Sequence, residues 1–242
     1  MASQKLPKSR KEPVSGFSPA PGCLIIIFGI LTIIGLGSWA VFTFTVQNRE
    51  IATFTTDSAI EITPVVPNGE TEPLIAKLTT FRYLVKNRKK AELSLNLREL
   101  NVLLTTDPFS RPPVPLNTMI QGEKIADGVI HAKISFPLNR WPPGSPPRYL
   151  NGTILIKPAT TKGKGLVMLT ENIQVDGKTI AEGFLRRYQQ DGYVDIMLVE
   201  DFREEKKGLG PIIKVINGAK IVGNQVVVSF DPTPKPAESE KK

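Results

Sequence analysis

Apolar and polar positions change rhythm three times along this chain. From Cys23 to Val46 the run CLIIIFGILTIIGLGSWAVFTFTV holds 24 residues with no charge and nothing more polar than Thr or Ser. As a helix, that length covers about 36 Å, more than the ~30 Å hydrocarbon core of a bilayer, and Trp39 suits the interface. A helix buried in a protein core rarely stays apolar all round for more than about 14 residues. From Thr71 to Lys86 the period becomes helical, with Leu74, Leu78, Phe81 and Val85 on one face. Ala91, Leu93 and Leu95 then alternate with Glu92, Ser94 and Asn96, the pattern of a half-buried strand. Asn96 followed by Glu99 is a capping-box signature for a new helix packed through Leu97, Leu100, Val102, Leu103 and Leu104 and ending before Pro108.

From Thr118 onward the period is that of long strands, with Asp127-Gly128, Asn151-Gly152 and Asp176-Gly177 expected as turns of a meander. In the segment 125–136, Ile130, Ala132, Ile134 and Phe136 form the core face, and Val129, His131, Lys133 and Ser135 the other. Segments 148–157 and 165–175 continue the sheet, with a hairpin turn at Lys162-Gly-Lys-Gly. The Pro-rich stretch 141–147 lacks the donors for a ladder and predicts an irregular loop. Ile180, Phe184 and Tyr188 mark a helix from Thr179 to Gln190, and a second helix is expected from Tyr193 to Glu204. Gly223-Asn224 turns the chain into a closing strand that ends at Phe230. The fold class is therefore α+β: an N-terminal transmembrane helix followed by a mainly antiparallel sheet with three or four short helices.

This organisation divides the chain into a cytoplasmic tail (1–22), an anchor (23–46), a stalk (47–70), an extracytoplasmic domain (71–230) and a disordered tail (231–242). Within the stalk, Ile51 to Thr56 alternates weakly, as a first strand would. Lys5, Lys8, Arg10 and Lys11 precede the span, whereas Arg49 with Glu50 and Asp57 follows it, so the N-terminus is expected inside and the domain outside the inner membrane. Gly22-Cys23 opens the apolar run where a lipoprotein box would close it. Ser38-Trp39-Ala40 has the spacing of a signal-peptidase site, but the apolar run continues to Val46, which favours an uncleaved signal-anchor.

Charge and composition narrow the chemistry. One Cys and one His exclude a disulfide framework, a Cys/His zinc site and an iron–sulfur cluster built from this chain alone, and no cofactor or metal is expected. His131 falls mid-strand on the polar face and reads as a lone surface histidine rather than a catalytic base. A carboxylate-based hydrolase would have to use Glu200, Asp201, Glu204 and Glu205, which sit beside Arg203, Lys206 and Lys207 as a solvated face does. No GxxxxGK[ST], GxGxxG or GxSxG motif occurs, and Asn151-Gly152-Thr153 matches a glycosylation sequon better explained as a turn. The chain is not expected to be an enzyme.

Excluding the tail, 27 Lys and Arg face 22 Asp and Glu, a mild excess concentrated in Arg82, Lys86, Arg88, Lys89 and Lys90. Cations at that helix end complement the C-terminal dipole; a membrane-surface patch on anionic headgroups or an acidic partner is the functional alternative. Nucleic acid is not expected as a partner of a tethered external domain.

The apolar single-pass anchor, the Ala91-Glu-Leu-Ser-Leu strand, the Glu99-Leu100-Asn101 step into a Leu-rich helix and the later Asp-Gly and Asn-Gly dipeptides resemble bacterial membrane-anchored, uncharacterised envelope proteins of the YpmS-like kind, over about Glu92 to Phe230. Those proteins are held to be distantly similar to tubular lipid-binding domains. The resemblance implies a module that binds a lipid, an acyl chain or an envelope protein partner near the membrane; a structural or assembly subunit of an envelope complex is the alternative. A lipid binder should retain an apolar cavity, and an assembly subunit should be packed throughout.

Overall fold

The computed structural model describes residues 20–106, 118–138, 145–190 and 210–232, with side chains from Leu24 onward. The chain divides into two compact units, Met1–Val46 and Gln47–Lys242. Helix α1 runs Ala20–Phe54, and its part Leu24–Phe54 is 31 residues long and apolar enough to cross a membrane, with a mean hydropathy of 2.4 in its most apolar stretch. Its Thr hydroxyls are satisfied inside the helix: Thr32, Thr43 and Thr45 each donate to the carbonyl four residues back at 2.8 Å. Such back-bonding leaves none of these three hydroxyls for the solvent to satisfy.

In the second unit α2 (Thr71–Lys86), β1 (Ala91–Asn96) and α3 (Leu97–Thr106) fall where the periodicity puts them. The capping box forms in both directions: Glu99 N–H donates to Asn96 Oδ1 at 2.9 Å, and Asn96 N–H donates to Glu99 Oε2 at 2.8 Å. At the start of α2, the hydrogen bond from Arg98, aided by Asn68 N–H, holds the Glu70 carboxyl below its ordinary range. That depressed value means the bond contributes above the ordinary carboxylate pKa and is lost as pH falls through the lowered one.

Strands β2 (Ile120–Ala126), β3 (Val129–Leu138), β4 (Arg148–Thr161) and β5 (Gly165–Gln174) form an antiparallel meander in that spatial order. Past α4 (Glu182–Gln190) and the short α5 (Gly210–Ile213), β6 (Gly218–Val222) and β7 (Gln225–Phe230) join β1 in a second antiparallel sheet of order β1-β7-β6. The fold is thus α+β, with the expected single sheet divided in two. The first strand, β1, pairs with the last, Ala91 opposite Phe230 and Asn96 opposite Gln225, so the meander is inserted between the two strands of one pair. A continuous core joins the sheets and helices: Leu93, Val226 and Val228 from one sheet, Ile134, Leu150 and Ile154 from the other, and Leu74, Phe81 and Val102 from the helices.

Four expectations are corrected. Asn151-Gly152 is no turn but lies inside β4, where Gly152 pairs with Ile134 and a Cβ would run into the Gln174 carbonyl; Gly is used for close backbone approach. Ile51–Phe54 is the end of α1 rather than a strand, with only Thr56 paired, by a bridge to Tyr149. The helix expected from Thr179 starts at Glu182. His131 is not a surface residue: it is half-buried, with Nε2 enclosed. The expected helix 193–204, the carboxylates Glu200, Asp201, Glu204 and Glu205, and the terminal tails 1–19 and 233–242 lie outside the described residues.

The segment read as a stalk is built into the second unit. Phe54 is 1% exposed, its ring 4.9 Å from that of Phe184, which stacks on Tyr188 at 5.0 Å; Thr55 and Ile62 are buried as well. Phe54→Ala should lower the unfolding free energy by about 3–5 kcal/mol, whereas Val66→Ala, at a residue 77% exposed, should shift it by no more than about 0.5. Thermal unfolding of the full chain in detergent checks this; equal melting of the two variants would show that Phe54 is not core.

Candidate functional site

The basic cluster is the C-terminal end of α2. Leu74, Phe81 and Val85 turn this helix inward, which leaves Ile75, Thr79, Tyr83 and Lys86 exposed on the other side. Asn87 N–H donates to Tyr83 O at 3.1 Å and Lys89 N–H to Leu84 O at 2.9 Å, closing the last turn. Arg88, with φ 52°, takes the left-handed conformation that Gly usually supplies after a helix. Arg82 and Lys86 therefore stand on the helix, Arg88 and Lys89 in the turn, and Lys90 at the approach to β1. Lys90 meets Asp231 at 3.5 Å, an exposed pair worth little. Among the described residues, Lys86, Arg88 and Lys89 have no acidic partner.

The other singled-out residues serve the scaffold or stand apart. Asn151 of the sequon is spent on packing: its Nδ2 donates to Thr56 Oγ1 at 2.6 Å and Ser58 O at 2.8 Å, and its Oδ1 accepts from Ser135 Oγ at 2.8 Å. His131 sits in β3 opposite Lys124 and Leu155, and among the described residues its Nε2 has no hydrogen-bond partner. Glu99 caps α3 and pairs with Lys77 at 2.7 Å, and Asn101 bonds both backbone groups of Gly122 at 2.8 Å. The described residues contain no cluster of three His, Cys, Asp or Glu that could hold a metal.

A second polar constellation escaped the sequence reading. The Arg148 guanidinium, its side chain 14% exposed, donates to Thr55 Oγ1 at 2.7 Å, to Thr55 O at 2.9 Å and to the Asp57 carboxylate at 2.5 Å. Lys178 Nζ adds a bond to Thr55 O at 3.1 Å. Two cations thus close the carbonyl end of α1, where a helix leaves acceptors unsatisfied and carries partial negative charge. Beyond it, Thr56 and Tyr149 exchange both backbone bonds at 3.0 and 2.8 Å, Ile60 N–H reaches Asn151 Oδ1, and Lys133 reaches Glu61 O. The only clue in the sequence is Arg148 directly after Pro146-Pro147; its partners lie more than 90 residues away.

The depression lined by Val65, Leu104 and Ile120 has no room for even a water-sized sphere, against the roughly 300–1,000 Å³ of ligand pockets. No protein-family model matches this chain, and comparison with curated proteins and with solved structures finds no match either.

Replacing Arg148 by Ala strips three acceptors of a charged donor and should cost about 2–3 kcal/mol, while Arg148→Lys, lacking the planar fork, should recover only part of it. Limited proteolysis should show new cleavage within 55–70 in the Ala variant before global unfolding. Unchanged melting and cleavage would show the guanidinium to be dispensable.

Proposed function

We propose that this chain is a single-pass, membrane-anchored and non-enzymatic module of the bacterial cell envelope, its N-terminus in the cytoplasm and its α+β domain outside the inner membrane. There it holds an envelope protein partner close to the membrane. One observation carries the reading: the side chains of α1 from Leu24 to Val46, including Leu24, Ile25, Phe28, Ile33, Trp39 and Phe42, are almost all exposed among the described residues. An apolar surface of that size is stable only in a lipid phase or against other apolar surface. The Lys and Arg residues before it support an N-in orientation.

A packed interior favours the assembly role over an enclosed acyl chain. The core runs without interruption through both sheets, and the depression beside α3 is too small for a lipid tail. The non-enzymatic reading draws on the chemistry at hand: among the described residues His131 Nε2 has no hydrogen-bond partner, and Cys23 lies at the edge of the apolar run.

A reporter enzyme active only outside the cytoplasm, fused after Lys242, should be active. A silent but well-expressed fusion would overturn the orientation and the localisation with it. Native mass spectrometry of the full chain, released from mild detergent, should show no stoichiometric acyl lipid once the detergent is stripped. A retained lipid would shift the reading to a lipid carrier.

A further inference from the structure

We propose that the exposed end of α2 rests on anionic phospholipid headgroups, through Lys86, Arg88, Lys89 and Lys90, with Tyr83 one turn before them and Ile75 further back on the same side of the helix. This rests on the reading of α1 as a membrane anchor and adds which surface of the domain meets the bilayer.

The first support is the length of the tether. The apolar run ends at Val46 and Phe54 is buried in the second unit, so at most eight residues separate lipid from folded domain. Whatever their conformation, they reach no further than about 28 Å. A free stalk up to Thr71 would have reached about three times as far. The domain is therefore confined to the neighbourhood of the headgroups, at a high effective concentration of lipid.

The second support is charge without local neutralisation. Lys86, Arg88 and Lys89 have no acidic partner among the described residues, and Lys90 has only the exposed Asp231. A basic residue near an anionic leaflet strengthens partitioning roughly fivefold, so four together amount to roughly 600-fold at low ionic strength.

The third support is the exposed surface that leads up to the charges along the same side of α2. Ile75 and Tyr83 are 45% and 62% exposed, on the side of α2 turned away from the core. An exposed aromatic with a polar tip, flanked by long cationic side chains, is the composition of an interfacial contact. A helix face of this kind is convex, which suits a headgroup surface better than the pocket or groove an acidic peptide would need.

The test uses the full chain in vesicles of phosphatidylcholine alone or mixed with phosphatidylglycerol. Cys23, the only cysteine, is replaced by Ser, and an environment-sensitive fluorophore is placed on Thr79→Cys or, as a control, on Asp176→Cys in the turn after β5. Emission from position 79 should shift to the blue and resist an aqueous quencher only in the mixed vesicles. High salt and the quadruple change K86Q/R88Q/K89Q/K90Q should each abolish the shift, and position 176 should not respond. Equal emission in the two vesicle types would overturn the proposal. So would a shift at position 79 that requires an added acidic protein, and that outcome would assign the patch to a protein partner. Flotation with the vesicles after alkaline carbonate washing is read in parallel: loss of flotation would mean that the anchor reading has failed, whereas retained flotation with no shift would sink the patch alone.

Discussion

The second unit depends on how the carbonyl end of α1 is held. A helix that stops beside a sheet presents acceptors that must find donors, and here Arg148 and Lys178 supply them from β4 and from the turn after β5. Because the guanidinium is largely buried and shared among Thr55 Oγ1, Thr55 O and Asp57, it holds residues 55–57 in place within the second unit. Phe54 can then insert beside Phe184, and residues 56–61 can lie along β4 and β3. Without those donors the same residues would be the linker that their composition suggests.

That contrast marks what could be read from the sequence. Elements with a strong period were legible: α2 from Leu74, Phe81 and Val85, β1 from Ala91, Leu93 and Leu95, and the start of α3 from Asn96 and Glu99, whose reciprocal bonds are local and leave a trace at fixed spacing. Asn151-Gly152 misled because the dipeptide that favours a hairpin also serves where a side chain must be polar and a backbone must come close. Residues 47–70 misled because packing held by backbone carbonyls and by donors more than 90 residues away leaves no pattern along the chain. The division into two sheets was equally hidden, since the pairing of β1 with β7 joins residues about 130 positions apart. Of the candidate site, the five cations were visible by composition; the exposure of Ile75 and Tyr83 beside them was not.

The pairing of β1 with β7 also bears on cooperativity. The meander is enclosed in sequence between these two strands, and its inward residues Ile134, Leu150 and Ile154 are fully buried in a core shared with Val226 and Val228. Neither sheet completes an apolar interior by itself. Contacts of such long sequence separation must close large loops before they are rewarded, so folding of this unit should be governed by that closure rather than by helix formation.

Asn101 has a consequence for crowding. Its carboxamide donates to Gly122 O and accepts from Gly122 N–H, occupying the outward groups of that one residue of β2 as a neighbouring strand would. Copies of a chain at high local concentration meet often, the circumstance in which an open sheet edge invites edge-to-edge pairing. With those groups already bonded within the chain, a passing strand cannot pair with β2 at Gly122.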